Sequence, residues 1–417
     1  SELGTCAPPR KSRHDVTFGG SLTRTHSDAR RHRAPRFATM VGHTWRSLLF
    51  GIDGWRHYMK AGYERAAKSF DNSHLARDLS GRHVLVTGAN SGIGYETARQ
   101  LALQGATVCM VCRDRQRGAD ARDAIRAELT ELHHPRNEKA DDASATSRVS
   151  LRVCDVSSQR AVRDLVAAYV REGKPLHVLV NNAGCMVHTR EETAEGVEVN
   201  FATNALGAFS LTEGLLPTLR ATAEAAGEPS RVICVSSAGM LTEKLELDDP
   251  EMRLGKFDGT RQYAKNKRAQ VAMCEAWASR EEARDENETR VTFFSQHPGW
   301  SDTAAVRAAL PGFYDTLKGR LRSPREGADT VIWLAAVDAK ENLKLRSGGF
   351  YFDRAPVEKH VSTNALTGTR YSKGDVAKME RSLFAARDAA LARGSDDGGF
   401  KTDGTAKSTG RASERAS

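Results

Sequence analysis

The sequence lacks a long hydrophobic run. A membrane-spanning helix needs about 20 consecutive, mostly apolar residues. No apolar run among the 417 residues approaches that length. The sequence therefore predicts no membrane-spanning helix.

Paired cysteine motifs are also absent. Seven cysteines are present, and the single C-x-x-C string, "CMVC", has no second pair at zinc spacing. Most cysteines lie in or beside apolar runs, where a free thiol behaves as a small hydrophobe. We therefore expect no metal site and a reducing, intracellular compartment, with the cytoplasm as the first choice. The Arg- and Ser-rich start of the chain leaves organellar targeting open as an alternative.

Both ends of the chain lack core-forming residues. Residues 1–39 contain eight Lys/Arg and three acidic residues, which places five of the nine net positive charges in this tail. Such segments cannot bury enough apolar surface to offset the entropy of ordering. We predict a disordered basic tail over 1–39, a helical leader over 40–79, a folded domain over 80–393 and a disordered tail over 394–417. Because the charge excess lies in a flexible arm, we expect no nucleic-acid partner.

The leader is weakly amphipathic from Trp45 to Phe70 and includes further Trp and Tyr residues. Such a segment can lie on a membrane surface. It can equally pack on its own domain or on a partner. Both interpretations stay open from the sequence.

Short apolar runs alternate with segments of helical spacing through the centre of the chain. The runs are "HVLVTG", "TVCMVC", "RVSLRVCDV", "LHVLVNNAG", "SRVICVSSAG", "TRVTFFSQHPGW" and "SGGFYFD". This alternation predicts a parallel sheet covered on both faces, which is a doubly wound Rossmann-type α/β fold. Residues 132–148 are polar and without periodicity, so we expect an exposed insertion there.

A glycine-rich loop follows the first run and precedes the first helical segment. Its sequence is "TGANSGIG", Thr87 to Gly94. In this position, backbone amides and a helix N-terminus face an anion, and missing side chains let a pyrophosphate approach. The predicted contacts are Gly88, Asn90, Ser91, Gly92, Ile93 and Gly94.

The end of the second run predicts which dinucleotide binds. An acid there would bind a ribose 2′-hydroxyl, whereas a 2′-phosphate needs Arg. Cys112 occupies the expected acid position and Arg113 follows it. We therefore predict NADP(H), with Arg115 or Arg117 as possible assistants, against the alternative of a solvated Arg113. Asp155 is predicted to accept from the adenine amino group, to cap a helix, or to do both.

A tyrosine and a lysine four residues apart, Tyr263 and Lys267, lie on one face of a predicted helix. A cation there would lower the phenol pKa, so that the phenol could exchange a proton with a carbonyl oxygen or an alcohol. Ser237, with Ser236 as the rival assignment, would orient the substrate oxygen. Asn204, beneath the site, could hold a water that relays protons past Lys267; Asn200 is the other asparagine in that stretch.

Together these motifs resemble the short-chain dehydrogenases/reductases. "TGANSGIG", "NNAG", "TNALG", "SS", "YAKNK" and "HPGW" occur in the family's order over roughly residues 80–355. The nearest likeness is to the family's member-twelve group. The resemblance implies a family catalytic domain over 80–393 and a tetrad of Asn204, Ser237, Tyr263 and Lys267.

The resemblance also implies further cofactor contacts, with Tyr263 and Lys267 among them. The remaining implied contacts are Asp155, Val156, Asn182, Ala183, Gly184, Pro298, Gly299 and Thr303, the last of which would bind the nicotinamide amide.

One spacing departs from the commonest family pattern. Ser237 and Tyr263 are 26 positions apart, and the extra loop is similar to that of retinol- and protochlorophyllide-type members. We expect this loop to form a wall of the substrate site. Apolar residues nearby predict a lipophilic aldehyde, ketone or sterol-like substrate, unless they only cover the site: Leu241, Leu310, Phe313 and Tyr314.

The sequence thus predicts an NADP-dependent oxidoreductase that acts on a carbonyl/alcohol pair, with the tyrosine as general acid/base. The alternative is a catalytically weak NADP-binding sensor or interaction protein. Beyond the small-molecule substrate, a homo-oligomer and membrane-surface contact through residues 45–70 remain open.

Overall fold

The computed structural model describes residues 36–133, 147–284, 290–338, 345–361 and 368–393. Within these residues, eight strands form one sheet. The strands are β1 His83–Thr87, β2 Thr107–Cys112, β3 Val149–Val153, β4 Val178–Asn181, β5 Ser230–Val235, β6 Val291–Gln296, β7 Gly349–Phe352 and β8 Ala355–Pro356.

The strand order is β3-β2-β1-β4-β5-β6-β7-β8. Neighbouring strands are parallel from β3 to β7, and only the short β8 pairs antiparallel, with β7. The doubly wound Rossmann-type prediction is therefore confirmed. The order reverses between β1 and β4, and in open parallel sheets ligands bind beyond the carboxyl ends of strands at such a point.

Helices cover both faces of the sheet. The α-helices are α1 Arg36–Asp53, α2 Lys60–Ala67, α3 Gly92–Leu103, α4 Arg115–His133, α5 Gln159–Arg171, α6 Val199–Phe201, α7 Gly207–Ala226, α8 Gly259–Glu282, α9 Ala304–Ala309, α10 Pro311–Leu317, α11 Pro324–Ala336 and α12 Lys373–Arg393. One buried cluster joins the sheet to α3, α4 and α11. A second joins its other face to α5, α7, α8 and α12. The near-continuous apolar strands follow from burial on both faces.

The leader contains α1 and α2, and one side of it packs on the sheet domain; α1 begins at Arg36, within the predicted tail 1–39. A π-helical turn, Gly54–Tyr58, joins α1 to α2, and a 3₁₀ turn, Ser73–Ala76, follows. Tyr58 is buried between Phe50, Trp300 and Phe352, with edge-on ring contacts to the last two. No described helix is long and apolar enough to cross a membrane.

The structure adds one long helix for which the sequence analysis assigned no element. Helix α12 buries Val376, Met379 and Leu383, and it packs against α8 and α5. Its apolar residues are sparse, which weakens the periodic signal. Helix α4 continues to His133, so the predicted start of the insertion at 132 is too early. Residues 1–35, 134–146 and 394–417 lie outside the described residues.

Candidate active site

The glycine loop makes the sharp turn from β1 into α3. Gly88 has φ +65° and Gly92 has φ +57°. Both values lie in the left-handed region, where a Cβ is disfavoured and glycine is tolerated. A Cβ on Gly92 would also lie 3.2 Å from Thr303 Cγ2. The loop therefore needs glycine for backbone conformation as well as for close approach.

Gly94 is needed because another part of the site packs against it. A Cβ there would collide with Asn182 Nδ2 and with the Gly88 carbonyl oxygen. The Asn182 amide donates to the Thr87 carbonyl oxygen at 2.9 Å and to that of Gly88 at 3.3 Å. The end of β4 is thus tied to the glycine loop. Glycine at 94 is therefore required by a contact within the protein, a reason that was not predicted from the sequence.

The first turn of α3 suits an anion. Ser91 precedes the helix in extended backbone and makes no side-chain capping bond, and the first turn contains no acid. The first amides of a helix without a cap can donate to a phosphate. Asn90 is half-buried and Ser91 exposed beside them, whereas Ile93 packs on the core. These residues fit a dinucleotide pyrophosphate.

Arg113 lies exposed at the end of β2 and is available to a ligand. Arg117 pairs with Asp114, whereas Arg113 has no hydrogen bond or ion pair among the described residues. Burial raises the pKa of the Cys185 thiol, and a hydrogen bond with Thr203 and the charges of Lys267 and Arg113 oppose this rise. At the position expected for an acid, Cys112 is buried.

Asp155 forms a turn of its own rather than capping the next helix. Its Oδ1 accepts from the Ser157 backbone N–H at 3.0 Å and from the Ser157 hydroxyl at 2.7 Å. Ser158 caps α5 by accepting from the Ala161 N–H. The capping alternative for Asp155 is therefore wrong, because the aspartate lies three positions too early. Val156 beside it is buried.

The "NNAG" segment brings the cofactor loop and the catalytic residues together. The Ala183 N–H donates to Thr87 Oγ1 at 3.0 Å. A Cβ on Gly184 would lie 2.8 Å from Asn204 Oδ1 and 3.4 Å from Lys267 Nζ. Glycine at 184 therefore lets both side chains approach this turn.

Ser237, not Ser236, lies beside the tyrosine. Ser237 and Tyr263 share a side-chain hydrogen bond. Ser236 is buried and donates to the Lys267 carbonyl oxygen at 2.8 Å. Because successive side chains after a strand point in opposite directions, only one of the two serines can face the phenol. The geometry favours the Ser237 assignment.

The pKa values of Tyr263 and Lys267 correct one expectation. Burial raises the pKa of Tyr263 to about 12, and the Ser237 hydrogen bond only partly opposes this. Burial lowers the pKa of Lys267 to about 8. The ammonium lies 5.4 Å from the phenol ring centroid. The predicted lowering of the phenol pKa by the lysine is not seen in this structure, because burial is the largest influence on the phenol and Lys267 does not offset it.

The Asn204 side chain bonds the chain that follows β4. It lies buried in a π-helical turn, Ala202–Leu206. Its Oδ1 accepts from the Cys185 N–H at 2.9 Å, and its Nδ2 donates to the Cys185 carbonyl oxygen at 2.8 Å. The Asn204 carbonyl oxygen accepts from Gln270 Nε2 at 2.7 Å. Gln270 was missed by the sequence analysis, although a polar residue three positions after Lys267 was a usable signal.

Asn200 makes an equivalent contact one turn earlier. Its side chain bonds the Val187 N–H at 2.8 Å and the Val187 carbonyl oxygen at 2.9 Å. Both asparagines thus fasten the chain after β4 to the helix beneath it.

The segment after β6 closes the site. Thr303 Oγ1 accepts from the Val306 N–H at 3.2 Å and caps α9, which leaves its own hydroxyl proton free to donate. Pro298 precedes Gly299, which has φ +71° and packs near the Tyr58 carbonyl oxygen. The Thr303 side chain lies against Gly92 of the glycine loop. This threonine is the residue that was predicted to contact the nicotinamide.

The apolar residues expected to line the substrate site also pack on the protein. Phe313 contacts Trp300 edge-on at 5.2 Å, and Phe313 and Tyr314 share a cluster with Met59 of the leader. Leu241 packs in another cluster. Leu241, Phe313 and Tyr314 therefore fit, in part, the alternative prediction that they only cover the site.

Comparison with known proteins identifies the family. A family model described as short chain dehydrogenase matches residues 82–245. The chain is 43% identical to Dehydrogenase/reductase SDR family member 12 of Homo sapiens over 76% of this chain and 90% of the relative. It is 33% identical to Retinol dehydrogenase 12 of Homo sapiens over 66% of this chain and 78% of the relative.

A solved structure supports the fold. The crystal structure of an uncharacterized protein from Mycobacterium paratuberculosis matches with a TM-score of 0.53 at 24% identity, covering 74% of this chain and 96% of that one.

The fold and the site define an oxidoreductase that uses a nicotinamide cofactor and acts on a small-molecule substrate. The chain belongs to the short-chain dehydrogenase/reductase family, in the group of its member 12.

Proposed function

We propose that this protein is an NADP(H)-dependent oxidoreductase acting on a lipophilic aldehyde, ketone or sterol-like molecule and its alcohol, with Tyr263 as general acid/base. The observation that supports this most is the convergence of Ser237, Tyr263 and Lys267 at the carboxyl ends of the strands, beside the glycine loop.

The tyrosine exchanges the proton. With a pKa of about 12, its phenol is protonated at neutral pH and suits donation to a carbonyl oxygen. Ser237 is placed to hold the same oxygen through its hydroxyl. Residues 88–94, Arg113 and Thr303 would hold the cofactor, which would supply or accept the hydride.

The lysine supplies positive charge and does not itself donate the proton to the substrate. Its Nζ donates to the Val235 carbonyl oxygen at 2.8 Å and to Gln270 Oε1 at 3.2 Å. These bonds hold the ammonium under the tyrosine ring. A phenolate formed by proton donation is then stabilised by a charge that is already in position.

Two observations support a lipophilic substrate. The named relatives include Retinol dehydrogenase 12, whose name denotes a lipophilic alcohol. Leu310 lies half-buried between α9 and α10, outside the described apolar clusters. It is available to a ligand, unlike Phe313.

The cofactor part is tested by fluorescence titration with NADPH and NADH. We expect tight NADPH binding, weaker NADH binding, and a loss of at least about tenfold in NADPH affinity for Arg113→Ala. Arg122→Ala is the matched control, because Arg122 pairs with Asp123 and belongs to none of the predicted cofactor contacts. Equal affinity for both cofactors in the wild type would overturn the NADP assignment.

The catalytic part is tested by a reduction screen of lipophilic aldehydes and ketones with the preferred cofactor. Tyr263→Phe should bind cofactor normally and lose turnover by about 10³-fold. Near-normal turnover in that variant would contradict the proton-transfer role. No turnover by the wild type on any carbonyl, with intact cofactor binding, would favour the sensor alternative.

We also propose that the leader contacts an anionic membrane surface. Four large apolar residues lie exposed at spacings of three, four and three: Trp45 (48%), Leu48 (55%), Ile52 (49%) and Trp55 (56%). This spacing places them on one helix face. The opposite side is fixed to the protein, because Arg46 donates to the Thr242 carbonyl oxygen at 2.7 Å.

Charge around this face fits anionic headgroups. Arg56 is exposed beside the apolar residues, and the Arg320 guanidinium lies 5.4 Å from the Trp55 ring centroid. The preceding residues 1–39 contain eight Lys/Arg and three acids. Basic residues near an apolar face strengthen binding to anionic lipid.

Sedimentation with vesicles tests this contact. The full chain should bind vesicles of phosphatidylcholine with phosphatidylserine more tightly than phosphatidylcholine alone. Leu48→Ser with Ile52→Ser should weaken binding by more than about tenfold, whereas Leu254→Ser, at another exposed leucine, should not. Dimerisation that the double variant abolishes, without vesicle binding, would show that a second copy covers the face instead.

A further inference from the structure

Gln270 bridges two groups of the proton-transfer machinery. Its Oε1 accepts from Lys267 Nζ at 3.2 Å, and its Nε2 donates to the Asn204 carbonyl oxygen at 2.7 Å. Only this orientation of the amide satisfies both partners, because an ammonium can only donate and a carbonyl can only accept. The side chain has no solvent exposure. It is therefore held between the lysine and Asn204.

The helix beneath the site presents the carbonyl group. Asn204 lies inside the π-helical turn, in which the regular i to i+4 bonding is interrupted. Its side chain is fully used by the Cys185 backbone. The Asn204 carbonyl oxygen is thus available to Gln270, and the two-sided bridge occupies the place where the sequence analysis expected a water.

The Gln270 side chain carries no charge, so it does not offset the positive charge of Lys267. The described hydrogen-bond partners of Lys267 Nζ are the Val235 carbonyl oxygen and Gln270, and no carboxylate in the described residues pairs with it. A carboxylate at Gln270 would offset the ammonium charge. A hydrocarbon would remove one of the two described partners of the Lys267 ammonium and the Gln270 bond to the Asn204 carbonyl oxygen.

We propose that Gln270 is a positioning residue that replaces a bridging water between Lys267 and Asn204, and that its neutrality leaves the ammonium charge directed at Tyr263. This rests on the proposed function, since it gives Gln270 its role through the lysine and the tyrosine. A carboxamide does not pass a proton onward as a water chain does. The lysine therefore has no proton path through Gln270 and acts on Tyr263 through its charge.

Gln270→Glu is the informative variant, because it keeps the shape and adds a charge. An opposite charge at this distance shifts a pKa by about one unit or more. The titration midpoint of Lys267 should rise by at least about one pH unit, and the pH profile of turnover should move in the same direction. Gln270→Leu should lower the midpoint and reduce turnover by about tenfold with little change in KM.

The midpoint is measured by NMR of the full chain with isotope-labelled lysine, and the Lys267→Arg variant identifies the signal. Gln100→Glu, on α3, is the control for an added carboxylate elsewhere and should leave the midpoint unchanged. A packing role alone would leave the Gln270→Glu midpoint and pH profile where the wild type has them, and this result would overturn the proposal.

The two proposals fail in different ways. The NMR titration needs no turnover, so it decides the role of Gln270 even in a protein without reductase activity. An active wild type with an unmoved Gln270→Glu midpoint would reject the positioning role alone. An inactive wild type whose lysine midpoint still shifts in Gln270→Glu would reject the proposed reaction and keep the bridge to the lysine.

Discussion

Two buried cations serve different parts of this molecule. Lys267, in the catalytic half, is 2% exposed and bonds only to neutral oxygens in the described structure. Arg322, which joins the leader to the sheet domain, is 1% exposed and pairs with Asp353 at 2.5 and 2.9 Å. Arg322 also donates to the carbonyl oxygens of His57 and Tyr58. The first charge is not paired with a carboxylate, whereas the second is paired and makes four hydrogen bonds.

This difference separates function from architecture. A buried ion pair with satisfied hydrogen bonds can be tolerated for structural reasons, whereas an unpaired buried ammonium costs stability. Burial lowers the pKa of the Arg231 and Arg268 guanidinium groups by a similar amount, to about 10, which leaves both charged at neutral pH. Lys267, with a pKa of about 8, is poised near neutrality. We infer that the loss of stability caused by the buried ammonium is tolerated because the reaction needs its charge.

Replacing Lys267 by methionine should give the largest effect. The substitution keeps the length of the side chain and removes the charge. Turnover should fall by about 10³-fold, because the phenolate loses its stabilising cation. Steady-state kinetics with the preferred cofactor measures this loss. Near-normal turnover would show that Lys267, like Arg322, has a structural role and no catalytic one.

Replacing Arg322 by methionine should act on stability instead. Removing one partner of a buried pair leaves Asp353 uncompensated and costs about 3–5 kcal/mol of unfolding free energy. Urea unfolding measures the loss. Arg320→Met, at an exposed arginine two positions earlier, is the control and should stay close to the wild type. A large loss of turnover per folded molecule, with no loss of stability, would reverse the two roles.

The catalytic half could be predicted from sequence because its residues occur in short motifs at strand ends. Tyr263 and Lys267 are four positions apart, and residues 88–94 form one loop. The sheet followed from the alternation of apolar runs with helical segments. Local order of this kind needs no knowledge of distant contacts.

The leader side could not be predicted in the same way. Arg322 and the Tyr58 carbonyl oxygen are 264 positions apart, and neither belongs to a motif. The raised pKa of Tyr263 could not be predicted, because a sequence shows the charge four positions away but not the burial. Gln270 was missed because its partners are the lysine beside it and a carbonyl group 66 positions earlier.

The cost of Lys267 should appear as a pH dependence of stability. Its pKa is about 8 in the folded protein and 10.5 as the ordinary value. Between these pH values the unfolded chain binds more protons, so the stability of the wild type gains up to about 3 kcal/mol from this group as pH rises. Below pH 8 the full cost is present.

Lys267→Met removes that cost. The variant should be more stable than the wild type at pH 7, and its advantage should shrink by up to about 3 kcal/mol as pH rises towards 10.5. Urea unfolding of both proteins across this range measures the difference, in which other groups cancel. An advantage that stays constant with pH would show that Lys267 is not the group that titrates.

The smallest expected effect concerns the leader contact. The Tyr58 hydroxyl donates to Asp53, and its ring packs on Trp300 at 5.8 Å and on Phe352 at 5.3 Å. Tyr58→Phe removes only the hydrogen bond and should cost about 1 kcal/mol. Tyr58→Ala also removes the buried ring and should cost about 3–5 kcal/mol. If both variants unfold at the same urea concentration as the wild type, the leader detaches independently of the sheet domain. Arg322 would then stabilise the protein only through its contacts within the sheet domain.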